Sequence, residues 1–156
     1  MAHTHAALVV AVDHPSLQHL VPPFVETLRR ERRHFGRAGR ANPKPFPSLV
    51  RRITDPQRRR FGVMLHGNLI GMASLADDGD VAIAIDASHR NMGHGGRLLE
   101  HVVRTAARDG YHHLTMASSQ RSRPIACLGG RSGWTTQLTA PGRLEMFLPL
   151  DGRLTG

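Results

Sequence analysis

The stretch Asp80–Asp109, DVAIAIDASHRNMGHGGRLLEHVVRTAARD, decides the fold. Asp80–Asp86 (DVAIAID) alternates β-branched and small side chains between two acids, which predicts a strand. Ser88–Gly96 is rich in glycine and predicts a loop. A helix then runs to about Asp109, with Leu98, Leu99, Val102, Val103, Ala106 and Ala107 forming one apolar stripe. Arg97, Glu100, His101, Arg104 and Arg108 take the opposite face, and Gly110 fits the C′ stop. The glycines let the backbone turn with positive φ and approach a ligand closely. A helix also begins with unpaired N–H groups and the positive end of its dipole. Strand, Gly-rich turn and helix together make a cradle for an anion, best suited to a phosphate or diphosphate.

Upstream, Phe61–Leu65, the turn His66-Gly67-Asn68 and Leu69–Leu75 read as a hairpin. The turn Ala76–Gly79 joins it to the Asp80 strand, giving a three-stranded antiparallel meander. Earlier still come a strand at Ala6–Val12, a helical turn at Leu17–Val21 and a break at Pro22-Pro23. A helix follows at Phe24–Phe35, then a Gly/Pro loop at Gly36–Pro47 and a short helix at Ser48–Thr54 with Ser48 as N-cap. Downstream lie a buried strand at His113–Ala117, a short helix at Pro124–Leu128, a β segment opened by Gly133-Trp134 and a last strand at Arg143–Leu150. The expectation is a single α/β domain over residues 1–156. Its mixed, mainly antiparallel central sheet has six to seven strands and is flanked by about four helices.

Composition narrows the function. The single cysteine, Cys127, leaves no internal disulfide and no multi-cysteine metal site. Eleven histidines lack metal spacing: adjacent His112 and His113 face opposite sides of a strand, and no His-Glu-x-x-His occurs, so no metal is expected. Apolar runs are too short to span a bilayer, and the N-terminus lacks a basic region before its short apolar run, so a cytoplasmic protein with no membrane partner is expected. Net charge is +9, and Arg29–Arg60 holds 11 Arg and Lys44 against Glu31 and Asp55. That segment reads either as a field for anionic ligands or as a solvated helix face and loop. Few aromatics interleave with its arginines, which argues against a nucleic-acid partner. Met64, Met72, Met92, Met116 and Met146 read as core, as does Trp134.

Other Gly-rich motifs fit poorly. A nucleotide-binding loop needs Lys and Ser/Thr after its last glycine, where Arg97-Leu98 stand, and a dinucleotide fingerprint needs glycine at Leu98. Arg90-Asn91-Met92-Gly93-His94-Gly95 instead resembles the acyl-CoA loop of the GNAT acetyltransferase superfamily: Arg or Gln, two residues, Gly, one residue, Gly or Ala, between the fourth strand and third helix. The element order over roughly Ala6–Leu150 is similar to that fold as well, and Ser122–Trp134 resembles the family's later segment. The resemblance implies an N-acyltransferase that moves an acetyl group from acetyl-CoA, or another short acyl-CoA, to a primary amine by direct attack. Arg90, Asn91, Met92, Gly93, His94, Gly95 and Gly96 would hold the diphosphate of CoA, with Ser122 a further cofactor contact. The backbone edge of Ile83, Ala84 and Ile85 would pair with the pantetheine arm in the slot between the splayed fourth and fifth strands, placing the acyl group near Ala82–Ala84.

For the base, Asp80 is the acid that begins the strand near the acceptor pocket; it reads more readily as a strand-end turn acid. The family's thiolate-protonating Tyr falls at Gly129, and Tyr111 does not match it. That departure motivates an alternative, a CoA-binding regulatory or nucleic-acid-binding module with little catalysis. The Arg29–Arg60 segment falls where the family's first two helices wall the acceptor, so the amine acceptor is expected to carry negative charge nearby. A homodimer is compatible with the sequence, the C-terminal strand pairing across a two-fold.

Overall fold

The structure is a computed structural model that describes residues 7–35, 45–90, 92–119, 133–140 and 143–151. Strand β1 (Leu8–Ala11) lies antiparallel to β2 (Arg59–Leu65), which pairs with β3 (Asn68–Leu75), which pairs with β4 (Val81–Ile85). The β2–β3 turn places His66 at φ 51 and Gly67 at φ 78, the two positive-φ residues that match strand twist in a tight hairpin. At the β3–β4 turn Gly79 has φ +93, and a Cβ there would lie 2.4 Å from His113 O. Glycine is required at that point both by backbone and by close approach.

A second sheet contains β5 (His113–Ser119), β6 (Thr135–Ala140) and β7 (Arg143–Pro149) in the order β5-β7-β6. The two sheets join through one parallel bridge, Asp80 to Thr115, with Thr115 N–H donating to Gly79 O at 2.9 Å. The expected mixed sheet of six to seven strands therefore consists of a four-stranded and a three-stranded part that touch at one end of β4. Since β7 is paired on both sides, it cannot pair across a two-fold as expected; the outer edge of this sheet belongs to β6.

Helix α1 (Val21–Phe35) and α2 (Pro45–Thr54) cover one face of the first sheet, and α3 (His94–Arg108) covers the other. The predicted stripe of α3, Leu98, Leu99, Val102, Val103, Ala106 and Ala107, is entirely buried. It packs with Val81 and Ile83 of β4, Leu114 and Met116 of β5, and Met146 and Leu148 of β7. Each such leucine or valine contributes about 1.5–3 kcal/mol by leaving water. The opposite core joins Val21, Phe24, Val25 and Leu28 of α1 and Ile53 of α2 to Met72 and Ala82. Gly110, at φ +85, closes α3: its N–H donates to Ala107 O and the Tyr111 N–H to Ala106 O, the two bonds of a Schellman stop.

Three boundaries differ from expectation, two of them because of proline. Pro22 and Pro23 lie in the first turn of α1, where a missing N–H costs nothing, so they start a helix rather than break one. Likewise α2 begins at Pro45, which puts Ser48 inside the helix rather than at its cap. The helix after the glycine loop begins at His94, with Gly95 and Gly96 in its first turn. A 3-10 turn at Pro15–Leu20 matches the expected helical turn, and another forms at Ala87–His89. The expected helix at Pro124–Leu128, with Cys127 and Gly129, lies outside the described residues.

Candidate functional site

The site is organised along β4. Ala76 N–H donates to Asp80 O at 2.9 Å, and Asp86 N–H donates to Ile70 O at 2.8 Å. Even-numbered residues of this strand therefore turn their main-chain groups toward β3, and Val81, Ile83 and Ile85 turn theirs to the other edge. Beyond Asp80 no described strand pairs with that edge. Ala84 was expected on the open edge with Ile83 and Ile85; it faces β3 instead, opposite Met72. The small side chains of Ala82 and Ala84 lie on the α1/α2 face.

At the closed end, Asp80 is held by two guanidinium groups. Arg52 donates through Nε to Oδ2 at 3.0 Å and through Nη2 to Oδ1 at 2.8 Å. Arg58 Nη1 donates to Oδ2 at 2.9 Å, and its Nη2 to Asp80 O at 2.7 Å. Arg58 Nε also donates to Ser74 Oγ at 2.9 Å, and Arg52 Nη2 to Val81 O at 3.1 Å. Sequence reading placed a catalytic base at Asp80. In the structure both carboxylate oxygens are engaged by arginine, and the group ties α2 and β2 to the junction of the sheets. The neighbours of Arg58 in sequence extend the pattern, since Arg59 pairs with Asp109 and Arg60 Nε with Asp13 at 2.8 Å. Much of the described part of the Arg29–Arg60 charge is thus spent on internal clamps.

At the open end, Asp86 caps the Ala87–His89 turn by accepting from Ser88 N–H at 3.1 Å, and its other oxygen meets His89 Nδ1 at 3.2 Å. Burial pushes the Asp86 carboxyl up, but the Ser88 amide, Glu31 and His89 outweigh it, and the net shift is downward. Glu31 reaches over from α1. Its Oε1 accepts from Ala87 N–H at 2.6 Å, and its Oε2 from Arg90 Nη2 at 3.2 Å. Burial, reinforced by Asp86, raises the Glu31 carboxyl above its ordinary range. Arg90 Nε donates to Ile85 O at 3.1 Å.

Gly93 is the N-cap of α3 at φ 83, and no side chain caps the helix. The first intrahelical bond runs from Arg97 N–H to Gly93 O, leaving the amides of His94, Gly95 and Gly96 without helical partners. A Cβ on Gly93 would meet nothing within 4 Å, so φ and not crowding demands glycine. His94 Nδ1 is buried without a partner among the described residues, and burial, with His89 and Arg97 nearby, lowers its proton affinity. Met92 was expected in the core; it is 63% exposed beside this turn. Asn91 and Ser122 lie outside the described residues.

The structure thus brings Ile83, Ile85, Arg90, Met92, Gly93, His94, Gly95 and Gly96 to one end of β4, away from Asp80. Sequence reading missed Glu31, Arg52 and Arg58 as partners. The available signal was that Glu31 is one of only two acids in the arginine-rich segment. Uncapped amides, an orphaned His94 Nδ1 and an unpaired strand edge fit an extended amide arm that ends in a diphosphate, as acetyl-CoA does. Among the described residues no cluster of His, Cys, Asp and Glu could hold a metal ion, and no helix is long and apolar enough to cross a membrane.

Residues 23–127 match the family model described as Acetyltransferase (GNAT) family. No curated protein matches the chain by sequence. Among solved structures, the ribosomal-protein-S5-alanine acetyltransferase from Vibrio fischeri is similar with a TM-score of 0.67 at 15% identity, covering 97% of each chain. The ribosomal-protein-S18-alanine N-acetyltransferase from Escherichia coli is similar with a TM-score of 0.62 at 16% identity, covering 93% of this chain and 94% of that one. A putative acetyltransferase from Salmonella typhimurium, solved with its cofactor acetyl-CoA, has a TM-score of 0.54 at 20% identity, over 60% of this chain and 65% of that one. With the loop, the splayed strands and a family match over most of its length, the chain belongs to the GNAT acetyltransferase family.

Proposed function

We propose that the protein transfers an acetyl group from acetyl-CoA to a primary amine on an acceptor that carries negative charge near that amine. The observation that carries this reading is the uncapped start of α3, where the amides of His94, Gly95 and Gly96 await an anion. Those amides, with Arg90, would hold the diphosphate, and the main-chain groups of Ile83 and Ile85 would hold the pantetheine arm. When bound, acetyl-CoA supplies a thioester carbonyl open to attack by an uncharged amine. The chain's part is to keep that carbonyl beside Ala82–Ala84 and to offer main-chain N–H groups of the β4 edge to developing negative charge. Asp80, enclosed by guanidinium groups, is not the proton acceptor in this reading. Exposed Arg29 and Arg51 belong to α1 and α2, the helices that cover Ala82, and these cations support an acidic acceptor.

The test is to incubate the protein with acetyl-CoA and a panel of amines and to follow free thiol. Release of CoA with acidic amines above that with small polycations is expected. Thermal stabilisation by CoA with no turnover on any amine would instead mark a binding module, and faster turnover of polycations would defeat the acidic-acceptor part.

A further inference from the structure

We infer that Glu31 is a positioning residue for the donor loop, holding Arg90 and the Ala87 turn from α1 so that Arg90 is set for the diphosphate of acetyl-CoA. The inference rests on the donor reading above. Glu31 accepts from Ala87 N–H at 2.6 Å and from Arg90 Nη2 at 3.2 Å, joining residues 56 and 59 positions away in sequence. Arg90 Nε is fixed in turn on Ile85 O at 3.1 Å. Two of the five guanidinium N–H donors are spent on these acceptors, and three remain for a ligand on a side chain that is 43% exposed. The arginine is thus oriented from one side and open on the other.

Stability alone does not explain the arrangement. Helix α1 already buries Val21, Phe24, Val25 and Leu28 against the sheet. Glu31 itself is mostly buried, at 17% side-chain exposure, and lies against a second carboxylate, Asp86. A buried acid beside another acid costs the fold, and only the Ala87 amide and Arg90 offset it. Groups held at such a cost concentrate where a ligand needs them. The contact also runs from the helix over the acceptor face to the loop that serves the donor, so one carboxylate sets the donor side relative to the acceptor side.

The test is calorimetry of CoA and acetyl-CoA binding to the full chain, alongside steady-state kinetics. Glu31→Ala is expected to raise Kd by about tenfold, the scale of one charge-assisted hydrogen bond. KM for acetyl-CoA should rise in step while kcat at saturating donor stays within about twofold, because the lost contact is to binding and not to the reacting atoms. Glu31→Gln keeps an acceptor for Ala87 N–H but loses the charge facing Arg90, so its Kd should fall between wild type and Glu31→Ala; it also serves if the alanine variant does not fold. In an Arg90→Gln background, removing Glu31 should shift Kd by less than about twofold, since the partner it orients is gone. Unchanged or tighter CoA binding in both Glu31 variants would overturn the inference, as would an equal effect with and without Arg90. No heat from the wild-type protein with either ligand would overturn the donor reading itself, and this inference with it.

Discussion

The two ends of β4 are both held by arginine and carboxylate, yet the stoichiometry is reversed. At Asp80 one carboxylate is enclosed by two guanidinium groups, whose spare donors reach Val81 O, Asp80 O and Ser74 Oγ. At Ile85 one guanidinium bonds a single carboxylate, Glu31, which itself lies against a second, Asp86, and part of the guanidinium faces solvent. The first cluster is satisfied from within and closes the junction of the sheets. The second is left open where the sheets have parted and the first amides of α3 lack helical partners. A polar cluster that completes itself builds the fold; one that stays incomplete is available to a ligand.

Breaking the closed end should have the larger effect. Asp80→Ala strands Arg58, whose side chain is 10% exposed, and Arg52, at 25%. Removing one partner of a buried pair costs about 3–5 kcal/mol, and partial exposure here brings the expected loss to about 2–4 kcal/mol. Urea denaturation should show it, with Asp80→Asn in between. A kcat loss in Asp80→Asn with the urea midpoint unchanged would restore a catalytic role to Asp80.

The difference between the ends was only partly legible in the sequence. Strand β4, the stripe of α3 and the Gly110 stop follow from local periodicity and turn chemistry, which one segment contains in full. The turn into α3 at Gly93 was legible because positive φ there and an uncapped helix start are properties of neighbouring residues. Asp80 and Glu31 were not. Their partners Arg52, Arg58, Ala87 and Arg90 are 22 to 59 residues away, and no local pattern says which arginine meets which acid. Ala84 was misassigned for a subtler reason: alternation identifies two sets of main-chain groups, but only the pairing with β3 decides which set is free.

A matched pair of glycine variants sharpens the contrast at the open end. Gly93 has φ +83 and Gly67 φ +78, and a Cβ at either would meet nothing within 4 Å. Alanine should therefore cost each site a similar amount, about 1–2 kcal/mol for a left-handed residue. Only Gly93→Ala should also weaken CoA binding, because strain relieved there tilts the amides of His94 to Gly96, whereas Gly67 supplies no part of the start of α3. Equal CoA affinity in the two variants would show that the start of α3 does not hold the diphosphate.

The smallest effect is expected in the pH dependence of stability, and it separates the two acids of the open end. Asp86 has a lowered carboxyl, so its contribution is present above its ordinary value of 3.8 and is lost as pH falls through the folded value below that. Glu31 has a raised carboxyl, and the sign inverts: its contribution is present below 4.5 and is lost as pH rises through the folded value above that. Urea midpoints measured from acid to neutral pH should therefore diverge in opposite senses. Asp86→Asn should fall behind wild type as pH rises through the folded Asp86 value toward 3.8, and Glu31→Gln should gain on wild type as pH rises past 4.5. Parallel profiles for wild type and Glu31→Gln would mean that Glu31 ionises without cost, and its burial beside Asp86 would then carry no strain for Arg90 and Ala87 to offset.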